Sequence, residues 1–374
     1  MALIDTLGEI PDPRRGNAQR YELLDILTIA VVASVCGAES CVDFAEFAVD
    51  REQLLREFLI LKNGLPSHDT FSRVFRLLEP AAFARAFEAF LDDLGAAGDG
   101  VLAIDGKTLR RSFDRAAGRS ALHVVTAFGT GARVAIAQGA VAGGENETLA
   151  ARRLLETLAL DGVLVTGDAM HTHDGTAQVI IDRGGDYLFA LKANRPAMLR
   201  EVEAFFADPP APLEPFETTD ADHGRIETRR HRVTYDVDWL FSDRRYAGEP
   251  KFPGLATLAC VEATRTETSG AANGKTTRST RYYLSSAKLT PETLARAVRG
   301  HWAIENSLHW VLDVTFDEDR ARNRRDHGPE NLAILRRITL NLLNKARPKM
   351  SVARKRKRSG WSDAFARTII GELR

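Results

Sequence analysis

Residues 101–107 read VLAIDGK and residues 162–169 read GVLVTGDA. Each is a short apolar run, bounded by glycine, that ends on an acid: Asp105 in the first, Asp168 in the second. Runs of this length and apolarity suit strands covered on both faces, with helices between them. In an open α/β sheet the carboxyl ends of the strands face the ligand crevice, so neighbouring strands would bring the two carboxylates together there. A carboxylate placed directly after apolar residues is costly to bury unless it is paired or bound to a cation. A hard dication, Mg²⁺ or Mn²⁺, is held by a few carboxylates with waters and phosphate oxygens completing its shell. Two such ions clamp the attacking and leaving oxygens of a phosphoryl displacement. A single strand-end Asp also serves as a turn former or a helix cap, a reading that fits two of them together less well.

Working outward, ALHVVTAFG (121–129) and ARVAIAQGAV (132–141) read as further strands, and NETLAARRLLETLAL (146–160) as a helix capped by Asn146. After GVLVTGDA and a connecting helix, DYLFALKAN (186–194) gives another strand. Three strands, then helix, strand, helix, strand is the order of an RNase H-like α/β core, expected over 101–207. Residues 1–95 read as a helical N-terminal domain that associates with DNA. Its helices are a polar lead-in running into an apolar helix that ends near Gly37, then 42–61, then HDTFSRVFRLLE behind Ser67, then 81–94, with GAAGDG (95–100) as linker. Phe71, Val74, Phe75 and Leu78 share one face of the third helix; the opposite residues, Ser67, His68, Thr70 and Arg73, would meet DNA if it is a recognition helix rather than a core helix. Residues 208–288 read as a β-rich insertion, opened by DPPAPLEP and containing a turn at 270–274; Arg225, Arg229, Arg230 and Arg232 make one of its strands basic.

Residues 289–347 return to helices and should supply a third ligand. In RGHWAIENSLHW (299–310), His301, Glu305 and His309 recur every four residues and Asp313 continues the face, while Trp302, Ile304 and Leu308 would pack inward. Glu305 is the expected ligand, with Glu318 and Asp319 as alternatives that lie near the helix end and could simply be exposed there.

The chain has 374 residues, 44% hydrophobic and 27% charged, and a formal net charge of zero. The zero hides an asymmetry. Residues 1–99 hold 9 Lys and Arg against 17 Asp and Glu, whereas residues 320–374 hold 16 against 4. The run Arg354, Lys355, Arg356, Lys357, Arg358 lies in a basic C-terminal tail, 348–374, that reads either as an electrostatic footprint for phosphate or as a solubilising tail. Lys107, Arg110 and Arg111 after the first Asp, and Lys192 and Asn194 at the end of a strand, are placed for DNA contact. His171 and His173 follow Asp168 and could act on the scissile phosphate or order the turn. Three cysteines, Cys36, Cys41 and Cys260, give neither a disulfide framework nor a metal-spaced set, and no apolar run approaches membrane-spanning length or forms a leader. A reducing cytoplasm, at the nucleoid, is the expected location.

The chain resembles the H-repeat-associated DDE transposases of bacterial insertion sequences, over nearly its whole length. The likeness is carried by GLPSHDTFSRVFRLLEP, IDGKTLRRS, TGDAMHTH, YLFALKANRP, RGHWAIENSLHWVLDVTFDEDRARNR and ENLAILRRITLNLL, in that order. The resemblance implies an RNase H-like core with Asp105, Asp168 and Glu305 as ligands of two metal ions. It also implies DNA partners (the terminal inverted repeats of an element and a target) and a homodimer on DNA. The implied reaction is hydrolysis at each element end, followed by attack of the freed 3′-hydroxyl on target DNA. Related cut-and-paste enzymes carry a Tyr, Arg, Glu, Lys signature around the Glu; here Val298, His301 and Leu312 stand at the other three positions, with His301, Asn306 and His309 as auxiliary candidates. Two other readings differ in class: a zinc hydrolase built on His171 and His173, and a DNA-binding protein without catalysis.

Overall fold

The computed structural model describes residues 3–93, 100–222, 224–241, 252–270, 273–347 and 349–371. The linker expected at 95–100 therefore lies, except for Gly100, outside the described residues, as do residues 271 and 272 of the expected 270–274 turn. The chain forms two compact units, one of residues 1–99, 106–145 and 305–374, the other of 100–105 and 146–304. No helix among the described residues is long and apolar enough to cross a membrane.

The second unit is a mixed sheet with helices. Its strands are β1 (Val101–Thr108), β4 (Leu164–Gly167), β5 (Asp186–Leu191), β6 (Phe216–Asp222), β7 (Arg225–Thr234), β8 (Thr257–Glu267) and β9 (Thr276–Ser285), in the spatial order β1-β4-β5-β9-β8-β7-β6. β1, β4 and β5 are parallel; β4 is wholly buried and β5 largely so, and β1 is buried over Leu102–Ile104, as expected of strands joined by crossover helices. Those helices are α7 (Glu147–Thr157) and α8 (Asp174–Asp182); α7 is capped by Asn146, whose side chain accepts from the Leu149 N–H at 2.9 Å. The expected β-rich insertion is four antiparallel strands, and it is no separate layer. β9 pairs with β5, Leu188 opposite Ser285, so the sheet continues through it. Its outer parts alternate exposed and half-buried residues, the pattern of a sheet wet on one side. A ninth helix, α9 (Pro196–Ala207), and a tenth, α10 (Pro291–Ala303), complete this unit.

The first unit is mainly helical: α1 (Leu3–Gly8), α2 (Leu23–Val35), α3 (Cys41–Asp50), α4 (Glu52–Leu55), α5 (His68–Leu77), α6 (Pro80–Asp93), α11 (Trp310–Thr315), α12 (Gly328–Lys345), α13 (Val352–Trp361) and α14 (Asp363–Ile370). The helix expected over 42–61 is divided at Arg51, whose φ of −120° interrupts it. The antiparallel pair β2 (His123–Gly129) and β3 (Val134–Ala140) also belongs here, and the last residues of β1 run beside β2: the Leu109 N–H donates to the Leu122 carbonyl at 2.8 Å. α12 is the centre of the unit, buried from Gly328 to Leu343 apart from Glu330. Its polar residues serve backbone that lacks partners. Asn331 donates to the carbonyls of Phe75 and Leu78 at the end of α5, and Asn341 both accepts from and donates to the Ala135 backbone on β3. α5 buries Phe71, Val74 and Phe75 against this core, which is the core-helix reading of that segment.

The basic tail is corrected. Residues 352–370 are two packed helices, and the run 354–358 is split by the helical period: Arg354, Lys357 and Arg358 are exposed, while Lys355 and Arg356 are buried. The Lys355 ammonium donates to the Leu343 and Ala346 carbonyls, both at 2.6 Å, and so closes the C-terminus of α12. The Arg356 guanidinium bonds the Ser34, Ala38 and Thr315 carbonyls and Glu39. Neither is offered to phosphate. Trp361 is exposed, with the Lys357 ammonium over its ring, whereas Phe365 is buried. Lys355→Ala is expected to lower stability by about 1–3 kcal/mol, the cost of leaving buried carbonyls unsatisfied, read from a shift of the urea midpoint.

Candidate active site

Parallel pairing of β1 with β4 ends on Ile104 opposite Gly167. The next residue on each strand is an acid, Asp105 and Asp168. Neighbouring strands are about 4.8 Å apart and paired residues share a face, so the two acids stand on neighbouring backbones just past the last registered pair. Asp168 follows the end of β4, as expected, but Asp105 does not end its strand: β1 runs on to Thr108. Glycine at 167 is required by space: a Cβ there would come within 3.0 Å of the His171 Cβ and 3.2 Å of the Phe189 ring. After it the chain turns at once into a short 3₁₀ segment, Ala169–His171, capped by Asp168 itself, whose Oδ1 accepts from the Met170 N–H at 2.8 Å. Asp168 is therefore a helix cap as well as a ligand candidate. Asn194 holds the same turn by donating to the Ala169 carbonyl at 2.7 Å, and Thr172 donates to the Ala190 carbonyl at 2.6 Å.

His301, on α10, lies over this end of the sheet. Its Nδ1 is 3.1 Å from the hydroxyl of Thr166, which alternates onto the same face of β4 as Asp168. Burial pushes the imidazole down to about 4, against the nearby negative charge of Asp168 and helped by the positive fields of His171 and Lys192. His301 is thus neutral at neutral pH. Its folded pKa lies below the ordinary value of 6.5, so between the two the unfolded chain binds more protons. The contribution is complete above about pH 6.5 and is lost as the pH falls toward 4. His301→Asn is expected to remove that part of the acid slope in urea titrations run across this range.

The other histidines are structural. His171 is fully buried, with Nε2 3.2 Å from the Glu147 carboxylate; His173 is exposed and caps α8, its Nδ1 accepting from the Gly175 N–H at 3.4 Å. They serve different partners, which removes the basis of the zinc reading. Among the described residues no group of three or more His, Cys, Asp or Glu stands at metal-holding spacing. The Asp105 and Asp168 pair nevertheless suits a hard dication that takes few protein oxygens and fills its shell with water and phosphate.

In the first unit, Glu305 is exposed and occupies a turn that the sequence did not reveal. α10 runs on into a π-helical segment, Ile304–His309, and then into α11. A π turn inserts one residue into the helical repeat and frequently marks a functional position. The face expected from four-residue spacing is accordingly interrupted: Glu305 and Asn306 are exposed, His309 and Asp313 half-buried. Ile304, Leu308 and Leu312 are buried, whereas Trp302, expected inside, is 42% exposed with the Arg281 guanidinium over its ring.

Lys107 is corrected from a phosphate contact to a buried ion-pair partner. Its ammonium is 2.5 Å from Asp313 and 3.3 Å from both Glu318 and Asp319. Glu318 is wholly buried, not at an exposed helix end, and is also met by Arg337 at 3.2 Å and Arg336 at 3.7 Å. Burial pushes its carboxyl up, but the charges of Arg337, Arg336 and Lys107 outweigh this and hold it below the usual range. For Asp313 the balance falls the other way: burial holds its carboxyl above the usual range, against the pull of Lys107. Glu318 is saturated with cations and is no alternative metal ligand. Arg110 stays exposed beside Asp319, at 3.2 Å, and Arg111 and Lys192 are exposed. On the expected basic strand β7, Arg229 is bound across strands by Asp220 and within the strand by Glu227, and Arg230 by Glu217 and Arg232 by Glu262 across strands; Arg225 is half-buried at its start.

Residues 96–342 match the family model described as Transposase DDE domain, and residues 4–91 match the one described as DDE_Tnp_1-associated. Two proteins of Escherichia coli, "Putative protein YbfL" and "H repeat-associated putative transposase YhhI", are each 34% identical to this chain over 98% of it and 97% of their own length. The "Uncharacterized protein in dhlA 3'region" of Xanthobacter autotrophicus is 41% identical over 68% of this chain and 86% of its own length.

Proposed function

The chain belongs to the DDE transposase family, and on that premise we propose that it cuts and rejoins the DNA ends of an insertion sequence, with Asp105, Asp168 and Glu305 as ligands of two Mg²⁺ or Mn²⁺ ions. The observation that carries this reading is the β1–β4 register, which sets Asp105 beside Asp168. The strand orders β3-β2-β1 in one unit and β1-β4-β5 in the other support an RNase H-like core.

Metal ions in such a site supply charge stabilisation to the attacking and leaving oxygens of a phosphodiester. The chain's own residues prepare the place. Gly167 lets β4 end against Phe189 and His171, and the Met170 N–H fixes the Asp168 carboxylate. A neutral His301 adds no positive charge that would compete with a cation for Asp168. Exposed Lys192, at the carboxyl end of β5 and close enough to act on His301, together with Arg110 and Arg111, offers positive charge to the DNA backbone. Binding in register, rather than covalent catalysis, is the protein's share of the work. Pairing of two element ends calls for two copies of the chain on DNA.

The test is strand cleavage of labelled DNA carrying the element's ends, with Mg²⁺ or Mn²⁺, by wild type and by Asp105→Asn, Asp168→Asn and Glu305→Gln. Cleavage at the element boundary, lost in all three, supports the assignment. Cleavage that survives Glu305→Gln removes Glu305 from it, and DNA binding without cleavage in either metal favours a protein that retains only binding.

A further inference from the structure

On β7 and in the tail, Arg229, Arg230, Arg232, Lys355 and Arg356 are taken up by carboxylates and carbonyls. A third group of arginines, within the first unit, is not. It is built from the loop 109–122, between β1 and β2, and the stretch 319–327 that leads into α12. The two segments are tied together at several points. The Arg324 Nε–H donates to the Arg111 carbonyl at 3.1 Å, and Arg119 donates to the Arg324 carbonyl at 3.3 Å. The guanidiniums of Arg115 and Arg324 both lie over the Phe113 ring, 5.2 and 4.6 Å from its centre. The loop is closed by Asp114, which accepts from the Ala116 and Ala117 N–H groups and pairs with Arg119 at 3.2 Å. The acids nearby answer only part of the charge. Asp319 meets Arg110 at 3.2 Å, Asp317 meets Arg320 at 3.6 Å, and Asp326 is taken by Arg76 at 2.7 Å. Among the described residues, Arg111, Arg115, Arg322, Arg324 and Arg325 meet no acid; Arg324 is half-buried and the other four are exposed.

Like charges gathered in this way repel unless an anion joins them. Here an aromatic ring and backbone carbonyls hold them in place without neutralising them. Arg324 spends its Nε on a carbonyl and keeps its terminal amino groups for a ligand. A guanidinium fixed in its plane, with those groups free, is preorganised for a two-pronged bond to phosphate. Resting on the reading of the chain as a transposase, we propose that this surface of the first unit holds the phosphate backbone of double-stranded DNA. Its contacts are made by Arg111, Arg115, Arg322, Arg324 and Arg325 around Phe113. The unanswered charges are spread over two segments, which suits a line of phosphates rather than one small anion. Such contacts supply affinity and orientation, not the reading of bases.

The test is equilibrium binding of a labelled DNA duplex of arbitrary sequence to the full chain, read by fluorescence anisotropy. It is run in chelator over a range of KCl concentrations, so that neither metal nor cleavage enters. Arg111→Gln, Arg322→Gln and Arg325→Gln, all at exposed positions, are made singly and together. Each phosphate contact contributes about 0.9 to the slope of log affinity against log salt. The triple variant should therefore lose about 2–3 from that slope, and at least about 10-fold in affinity at about 0.1 M salt. A second triple, Arg15→Gln, Lys62→Gln and Arg85→Gln, removes as many exposed charges elsewhere in the same unit. It is expected to change the slope by less than about 0.5. An equal loss in the two triples, or an unchanged slope in the first, overturns the proposal and leaves the transposase reading standing. Failure of wild type to bind the duplex even at low salt overturns that reading, and the proposal with it. Should the first triple fail to fold, as loss of a cooperative melt would show, the single variants decide by the same slope. Each is expected to lower it by about one.

Discussion

Glu318→Ala loses about 3–5 kcal/mol of stability in a urea titration, the cost of breaking a buried ion network by removing one partner. The carboxylate is enclosed by Lys107, Arg336 and Arg337, with side-chain exposures of 8%, 7% and 0%. Taking it away leaves three cations near one another with only Asp313 and Asp319 to answer Lys107, and leaves Arg337 without an acid partner among those contacts. Asp317 shows how the chain is bent to place it: its φ is +50°, in the left-handed region, and the next residue turns inward. Glu318→Gln keeps the shape and one acceptor but not the charge, and should lose nearly as much. A loss below about 1 kcal/mol in both would mean that the network contributes little beyond packing. The pH dependence has a definite sign: the folded carboxyl is held below its ordinary value of 4.5, so its contribution is complete above that value and is lost as the pH falls through the lowered one.

Asp105→Asn and Asp168→Asn are expected to reduce DNA cleavage by at least about 100-fold, the upper end of what losing a mere supporting partner costs at a metal site, without destabilising the protein. The two effects separate a ligand from a structural acid. In metal-free protein the two carboxylates stand on adjacent strands one residue beyond a registered pair, and like charges at about 5 Å repel. Neutralising either relieves that repulsion, so each variant should melt at or above the wild-type temperature in chelator. Adding Mn²⁺ should raise the melting temperature of wild type, by preferential binding to the folded state, and should raise that of the variants much less. Asp168 has the extra duty of capping the 3₁₀ turn, and asparagine retains that acceptor. A variant that melts well below wild type in chelator would place its aspartate among the structural acids.

The catalytic candidates were legible where strand chemistry is local. Apolar runs that end on Asp105 and Asp168 read as buried strands, and their acids were expected to meet if the two strands were neighbours; the parallel β1–β4 pairing supplies that condition. The helical leader and the β-rich segment were legible from period and turn residues. The roles of the basic residues were not. Lys107, Lys355, Arg356 and Arg229 read as phosphate contacts because charge in a sequence carries no sign of burial. Each is claimed instead by a carboxylate or carbonyl brought to it by the fold: Asp313 for Lys107, Leu343 and Ala346 for Lys355, Thr315 and Ser34 for Arg356, Asp220 for Arg229. Glu318 was misplaced for the same reason, since its three cations come from residues 107, 336 and 337.

What the sequence determined by itself is the set of elements and the family: short apolar strands, an amphipathic leader, and acids at strand ends are all encoded in neighbours along the chain. What only the tertiary structure decided is which charges are free. It also decided the continuity of β9 with β5 and the π turn that carries Glu305. These depend on contacts between residues tens to hundreds apart. A buried ion pair, a strand register and a helical phase are set by the partner across the gap, and a local pattern cannot contain that partner.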